Sequence, residues 1–135
     1  MAAVHLVLLV VEDDEKLARS MGRFLSQRGF VVRLVETEAG ALEMLGEATP
    51  DAAILDVHLS DGSGLDVLEH LRQAGASIPA IVMTADDSLA VRQRAERLGV
   101  AAFLTKPVRP LELLRILQQA LPPSPYPLPP AGGTG

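Results

Sequence analysis

Five short apolar runs recur along the chain, and each is separated from the next by a stretch with helical spacing. The first run, His5 to Val11, does not alternate in polarity, as expected of a central parallel strand that is covered on both faces. The later runs are Phe30–Val35, Ala52–Leu55, Ala80–Met83 and Ala101–Leu104. Strict alternation of strands and helices predicts an α/β fold with a doubly wound, five-stranded parallel sheet, right-handed crossovers and helices on both faces.

The stretches between the runs carry apolar residues three and four positions apart, which predicts an amphipathic helix in each. In the first helix, Leu17, Met21, Phe24 and Leu25 share a face, and Gly29 marks its end. The other four helices are indicated by Ala41, Leu42 and Leu45; by Leu65, Leu68 and Leu71; by Val91, Ala95 and Leu98, ending at Gly99; and by Leu114, Leu117 and Leu121.

Composition narrows the function classes. A length of 135 residues predicts one domain, and the net charge of −5 argues against direct nucleic-acid binding by this segment. The chain has no cysteine, which excludes disulfides, thiolate nucleophiles and cysteine-based zinc sites. The apolar start is too short to span a bilayer and lacks a basic lead-in, so we expect no membrane insertion and a cytoplasmic location.

Polar residues that could carry chemistry follow four of the five predicted strands. They are Glu12, Asp13 and Asp14 after the first strand, Asp56 after the third, Thr84 after the fourth and Lys106 after the fifth. In folds of this type, ligands bind outside the carboxyl ends of the strands. Carboxylates within about 5 Å of one another repel by roughly 3 kcal/mol per pair at an effective dielectric near 20, so a cation is expected among them. Oxygen ligands without histidine or cysteine favour Mg²⁺.

Taken in order, these positions resemble the receiver domains of two-component response regulators, over essentially all of Val4 to Leu121. The shared motifs are Glu12-Asp13, Asp56, Gly64, Thr84-Ala85 and Lys106-Pro107, each at or near a strand end. Each motif is weak alone, but the ordered set with family-like spacing is specific. The resemblance implies the flavodoxin-like strand order 2-1-3-4-5 and a cis peptide bond before Pro107.

The resemblance also implies a phosphoryl-transfer site. Asp56 would accept a phosphoryl group from the phosphohistidine of a sensor histidine kinase or phosphotransfer protein. Mg²⁺ would be bound by Asp13, Asp56 and the backbone carbonyl of His58, with Glu12 acting mainly through water. The protein would then be a phosphoacceptor signalling domain rather than an ordinary enzyme.

Two further residues would contact the phosphoryl group and one would report its presence. Lys106 would pair with one phosphoryl oxygen, and Thr84 would donate a hydrogen bond to another. In the family, that bond is linked to the inward turn of an aromatic residue, here Phe103. The surface formed by the fourth helix, fifth strand and fifth helix would then change towards an output domain, a downstream protein or a second copy in a phosphorylation-dependent homodimer.

The chain departs from the family at two positions. Ser60 stands where relatives often have proline, so the loop from Ser60 to Gly64 is expected to be more mobile. Phe103 replaces the tyrosine of many relatives, so no hydroxyl is available there to a partner. His58 and Asp86 lie two residues beyond Asp56 and Thr84, where side chains can influence hydrolysis of the acyl phosphate.

Other interpretations remain. Glu12, Asp13 and Asp14 would, by themselves, be read as acids at a helix start. The basic group Arg92, Arg94 and Arg97 is by default a solvated face, with a partner-binding surface as the functional alternative. The whole domain could be a degenerate receiver that acts only as a protein-interaction module. A phosphohydrolase or flavin-binding protein is disfavoured, because no glycine-rich loop follows the first strand.

Proline and glycine dominate the chain from Pro122 to Gly135. Such a segment cannot continue a helix or pair as a central strand. We therefore predict a receiver domain over residues 1–121 and a linker or disordered tail over residues 122–135. The sequence leaves open whether an output domain, with DNA binding as one alternative, belongs to the same protein.

Overall fold

The computed structural model describes residues 5–122 and shows the predicted α/β fold. The five strands of its main sheet are β1 Val7–Val11, β2 Val31–Val35, β3 Ala52–Leu55, β4 Ala80–Thr84 and β5 Ala102–Thr105. They form one parallel sheet in the order β2-β1-β3-β4-β5, which confirms the predicted order. The predicted tail beyond Pro122 lies outside the described residues.

Five helices alternate with these strands. They are α1 Glu15–Ser26, α2 Glu38–Glu47, α3 Gly64–Gln73, α4 Leu89–Arg97 and α5 Pro110–Ala120. Gly29 and Gly99 follow α1 and α4 with φ of 94° and 70°, a conformation that suits glycine, as the predicted helix ends require. Among the described residues, no helix is both long enough and apolar enough to cross a membrane.

The core lies on both faces of the sheet because successive strand residues point to opposite sides. On one side, Leu8 and Val10 of β1 pack in a cluster with Leu25 of α1 and Leu114 of α5. On the other side, Leu9 and Val11 join a cluster that contains Ala41 of α2 and Leu68 of α3. A smaller cluster joins Val82 of β4 to Ala95 of α4. The predicted placement of helices on both faces is therefore confirmed.

The strand ends differ by one or two residues from the sequence-based expectation. β1 begins at Val7, where pairing with Val31 starts, so His5 lies before the strand. β4 and β5 each extend one residue further because Thr84 and Thr105 continue the parallel ladder. Thr84 is thus the last residue of its strand rather than the first residue of the following loop.

A short β-hairpin between β3 and α3 was not predicted. Its strands are His58–Leu59 and Gly62–Ser63, paired antiparallel around a turn at Ser60 and Asp61. The hairpin begins two residues beyond Asp56 and therefore lies beside the carboxyl edge of the sheet.

Candidate functional site

Buried polar side chains within residues 5–122 are confined to the carboxyl edge of the sheet. They are Glu12, Asp56 and Thr84, with exposed fractions of 0%, 6% and 1%. All three were predicted from the sequence as site residues. Burial of two acids and a hydroxyl at one place is costly unless other groups compensate, so this edge has the properties of a functional site.

Lys106 lies between the two buried acids. Its Nζ is 2.6 Å from Oε1 of Glu12 and donates a hydrogen bond to Oδ2 of Asp56 at 2.9 Å. The lysine backbone is held as well, since its amide donates to the carbonyl oxygen of Thr84 at 2.8 Å. The peptide bond between Lys106 and Pro107 is cis, as the resemblance implied.

The two charge types shift each other's titration. Burial raises the pKa of Glu12, and the nearby Asp56 acts in the same direction, while Lys106 opposes the shift only in part. Burial alone would lower the pKa of Lys106, but its contacts with Glu12 and Asp56 outweigh burial and raise the pKa. Lys106 is therefore a firmly charged ammonium group at neutral pH.

Three carboxylates meet beside this lysine. Glu12, Asp13 and Asp56 each offer an oxygen, and these atoms lie within 4.8 Å of one another. Oε1 of Glu12 is fully buried and has no hydrogen bond of good geometry. One lysine cannot neutralise three carboxylates, and the all-oxygen donor set suits a hard divalent cation, so these residues fit Mg²⁺.

Asp14 has a different task from its two neighbours. Its side chain caps α1 by accepting a hydrogen bond from the amide of Leu17 at 3.1 Å. Its own amide donates to Oε2 of Glu12 at 3.1 Å, which helps to aim that carboxylate. The helix-capping interpretation of the acidic run is thus correct for Asp14, whereas Glu12 and Asp13 face the candidate metal site.

Thr84 is brought to the site, but its hydroxyl oxygen accepts a hydrogen bond from the amide of Asp86 at 3.1 Å. Asp86 in turn contacts His58 across the mouth of the site, with Oδ2 and Nε2 2.5 Å apart. The hydrogen bond with His58, together with one from the Ser88 amide, lowers the pKa of Asp86 to about 2. This pair joins the loops that follow β3 and β4.

Phe103 is partly buried in β5 and packs against the cluster that contains Val82 and Ala95. The guanidinium of Arg92 lies over its ring, 4.6 Å from the ring centre. Arg94 pairs with Asp66 at 2.6 Å and with Glu69 at 3.1 Å. Two members of the basic group on α4 thus have intramolecular partners, which the default interpretation of a solvated face did not include.

Gly64 owes its place in the motif to close packing against the backbone of Asp56. Its amide donates to the carbonyl oxygens of Asp56 and Val57, each at 3.1 Å. A Cβ atom at this position would collide with the Asp56 carbonyl and lie 3.1 Å from Cβ of Leu55. Only glycine allows α3 to begin so close to the end of β3.

The contacts that hold the hairpin were not predicted from the sequence. Both carboxylate oxygens of Asp61 accept hydrogen bonds from α2, from the amides of Glu38 at 2.7 Å and Ala39 at 3.0 Å. Glu38 reciprocates, since its Oε1 accepts from the amide of Ser63 at 2.9 Å. The Asp61-Gly62 pair is a turn signal that could have placed the turn, but nothing in the local sequence pointed to α2 as the partner.

Comparisons with known proteins agree with this geometry. A family model for the response regulator receiver domain matches residues 8–118. The chain therefore belongs to the receiver domain family of two-component response regulators.

Curated relatives include regulators of several kinds. The photosynthetic apparatus regulatory protein RegA of Rhodovulum sulfidophilum is 34% identical over 121 residues, which are 87% of this chain and 66% of that protein. The response regulator MprA of Mycobacterium ulcerans is 38% identical over 114 residues, 84% of this chain and 49% of that protein. The regulator of RpoS of Escherichia coli K12 is 37% identical over 108 residues, 80% of this chain and 32% of that protein. The chain thus spans between a third and two thirds of the length of these relatives.

Solved structures show the same fold. A CheY-like receiver domain protein from Methanospirillum hungatei JF-1 superposes with a TM-score of 0.82 at 25% identity, covering 86% of this chain and 93% of that chain. The non-phosphorylated HemR receiver domain of Leptospira biflexa gives 0.80 at 30% identity, with coverage of 90% and 99%. A response regulator of Burkholderia pseudomallei with a phosphorylated aspartic acid, a calcium ion and citrate gives 0.77 at 29% identity, with coverage of 84% and 66%.

Proposed function

We propose that Asp56 is the phosphoacceptor of this receiver domain and takes its phosphoryl group from a phosphohistidine of a sensor histidine kinase or phosphotransfer protein. The observation that carries the proposal is the hydrogen bond of 2.9 Å between Lys106 Nζ and the buried Asp56 carboxylate, beside two further acids. The phosphorylated aspartic acid and calcium ion of the Burkholderia pseudomallei relative support it.

In the proposed reaction, a carboxylate oxygen of Asp56 attacks phosphorus and the phosphorus–nitrogen bond of the phosphohistidine breaks. The imidazole leaves as a neutral ring, because its other nitrogen already carries a proton. Lys106 places its ammonium group beside the oxygens on which negative charge gathers in the transition state. Asp13, Asp56 and the His58 carbonyl would hold Mg²⁺, with Glu12 acting through water. These residues would thereby place a divalent cation beside Asp56, and that cation would supply positive charge to offset the charge of the phosphoryl group.

Conformational signalling would begin at Thr84. Its hydroxyl oxygen accepts from the Asp86 amide, and the hydroxyl hydrogen can at the same time be donated to a phosphoryl oxygen. Movement of this strand end would reach Phe103, which packs in the same cluster as Val82 of β4. The face of α4, β5 and α5 would then change its contacts with an output domain, a downstream protein or a second copy of the chain.

The expectations about domain organisation, assembly and location remain predictions. The domain boundaries at 121 and 122, the output domain, the phosphorylation-dependent homodimer and the cytoplasmic location follow from the sequence and the family. The relatives that extend beyond the matched region support a longer regulator, since this chain covers only 32% to 66% of the three curated relatives described above.

The test is incubation with acetyl phosphate and Mg²⁺ followed by intact mass measurement. We expect a single phosphoryl adduct on the unmodified protein and none on Asp56→Asn. Asp51→Asn is a matched control, because Asp51 is an aspartate at the opposite end of the same strand. An adduct that persists in Asp56→Asn contradicts the proposal, and no adduct on the unmodified protein favours a degenerate receiver that only binds partners.

A further inference from the structure

The hairpin beside the acceptor is joined to α2 by two reciprocal contacts, which we call the Asp61–Glu38 latch. Asp61 accepts from the first two amides of α2, and Glu38 accepts from the Ser63 amide. Thr37 accepts from the third amide, that of Gly40, at 2.9 Å. The amides at the start of α2 are thus satisfied jointly by the helix's own cap and by a residue 22 or 23 positions away, which ties the turn of the hairpin to a helix end.

The other end of the hairpin is joined to the acceptor. Gly64 donates to the carbonyl oxygens of Asp56 and Val57, so the chain closes on itself immediately after β3. Between these two anchors lies His58, whose backbone carbonyl is the proposed third ligand of Mg²⁺. The latch therefore acts on the one proposed ligand that is a backbone atom and cannot adjust by side-chain rotation.

The pairing of the hairpin indicates how His58 is presented. Leu59 pairs with Gly62 next to the turn, and His58 pairs with Ser63 one step further. In an antiparallel pair, hydrogen-bonded and non-hydrogen-bonded positions alternate, so the polar backbone groups of His58 and Ser63 point away from the opposite strand. The Ser63 amide agrees, because it donates to Glu38 rather than across the hairpin.

Gly62 makes room for the latch. A Cβ atom at this position would meet the carboxylate of Glu38, with the carboxyl carbon 2.8 Å away. A side chain there would displace Glu38 from the Ser63 amide. Ser60 occupies the first central position of the turn, where proline would restrain the backbone by itself. This chain therefore lacks a local restraint on the turn and has a tertiary one.

We propose that Asp61 and Glu38 are positioning residues that hold the hairpin so that the His58 carbonyl is presented to Mg²⁺, thereby supplying the restraint that Ser60 does not. The inference rests on the proposed function, because it assumes that the acidic site binds Mg²⁺. It adds two residues, one of them on a helix that contributes no ligand, to the set that determines metal affinity.

The test is a titration with Mg²⁺ alone, monitored by the NMR chemical shifts of the backbone amides. This measurement needs no phosphoryl transfer. We expect Asp61→Ala and Glu38→Ala each to weaken Mg²⁺ binding roughly 3- to 10-fold, at or below the lower end of the losses that follow removal of outer-shell support. Because the two residues act on one hairpin, the double variant should lose little more than either single variant. Asp51→Ala removes another exposed carboxylate, whose 2.7 Å hydrogen bond with the Val7 amide lies at the other end of the sheet, so this variant should bind Mg²⁺ as the unmodified protein does.

Two variants separate geometry from charge. Glu38→Gln removes the charge but keeps an oxygen that can accept from Ser63, so it should retain most of the affinity that Glu38→Ala loses. Ser60→Pro placed in Asp61→Ala should recover at least half of the lost affinity without restoring charge. Equal losses in Glu38→Gln and Glu38→Ala, or unchanged affinity in Asp61→Ala, overturn the proposal. Absence of Mg²⁺ binding by the unmodified protein overturns the metal site and the inference with it, whereas normal binding by every variant overturns the inference alone.

Discussion

The two ends of the parallel sheet differ in how they hold carboxylates. At the amino end, Asp51 stays exposed and accepts a single hydrogen bond from the Val7 amide at 2.7 Å, while the strand residues Ala52 and Ala80 are small, apolar and buried. At the carboxyl end, Glu12 and Asp56 are buried against one lysine. The amino end of the sheet therefore stabilises the fold, whereas the buried carboxylates at its carboxyl end reduce the stability of the fold.

The contrast in carboxylate burial indicates which end of the sheet carries function. A carboxylate left in water costs nothing in desolvation, so Asp51 can stabilise the edge of the sheet. The carboxylates at the other end lose water and crowd one another, which is why the pKa of Glu12 is raised by burial. Natural proteins retain such an arrangement where activity requires it. Matched substitutions in different parts of the molecule should therefore have different, and in two cases opposite, effects.

The largest effect is expected for Lys106→Ala. Removal of the ammonium group leaves the buried acids and the transferring phosphoryl group without their protein cation, so phosphoryl uptake from acetyl phosphate should fall roughly 100-fold. The measurement is the initial rate of adduct formation in the presence of Mg²⁺. Lys16→Ala is the control, because Lys16 is an exposed lysine on α1 and its loss should leave the rate unchanged. A rate in Lys106→Ala equal to that of the control contradicts the role of the lysine.

Two glycine substitutions test the packing against the backbone of Asp56. Gly64→Ala forces Cβ against the Asp56 carbonyl, so we expect the free energy of unfolding to fall by about 1–3 kcal/mol. Gly46→Ala in α2 meets nothing within 4 Å, and it should raise the free energy of unfolding by about 0.5–1 kcal/mol through helix propensity. Urea denaturation measures both values. If both variants changed the free energy of unfolding in the same direction, position 64 would not be more tightly packed than position 46.

In the absence of Mg²⁺, which a chelator removes, alanine substitutions at two aspartates should change the free energy of unfolding in opposite directions. Asp51→Ala loses a hydrogen bond to the Val7 amide and should destabilise the fold by about 1 kcal/mol. Asp13→Ala removes one of three crowded acids, and two charges 4.8 Å apart in water repel by about 0.9 kcal/mol, so the fold should become more stable. Addition of Mg²⁺ should remove the advantage of the Asp13 variant. Destabilisation of both variants to the same degree would refute the contrast between the two ends.

The smallest effect is expected for the pH dependence of the stability that Asp61 contributes. Hydrogen bonds from the amides of Ala39 and Glu38 hold the pKa of Asp61 below its ordinary value of 3.8. The unfolded chain therefore binds the proton more readily, and the stability that Asp61 contributes is present above the unfolded pKa and is lost as pH falls through the folded one. The difference in free energy of unfolding between the unmodified protein and Asp61→Ala should stay constant from about pH 6 to about pH 5 and narrow towards about pH 3. A difference that widens on acidification would mean that Asp61 is not ionised in its contact with α2.

Much of this architecture could be predicted because it is encoded locally. Unbroken apolar runs such as His5 to Val11 indicate buried parallel strands, and spacing of three and four residues indicates the helices. The site residues could be listed for a similar reason, since parallel strands finish at one edge and bring Glu12, Asp56, Thr84 and Lys106 together. Ladder pairing nevertheless moved the strand ends, as at Thr84, because pairing depends on the neighbouring strand.

The hairpin could not be predicted in the same way. Its strands have two residues each, too few to show a period, and its anchors are contacts with α2 across more than 20 positions. The expectation of a more mobile loop at Ser60 considered only local chain stiffness. Asp61 and Glu38 supply a tertiary restraint, which no rule of local sequence describes.

The amino-acid sequence is enough to predict the class of fold, the strand order implied by the family resemblance, and the set of acids, hydroxyl and ammonium groups that meet at one edge of the sheet. The pairing of these groups becomes clear only in the folded protein. Lys106 reaches Asp56 across 50 positions. Asp14 caps α1, whereas Asp13 lies beside Glu12 and Asp56 in the candidate metal site, and Asp61 reaches α2. This difference arises from the distance along the chain over which each kind of interaction acts. Periodicity and chain stiffness act over a few residues, whereas burial, charge pairing and hydrogen bonding depend on which distant segments the folded sheet brings together.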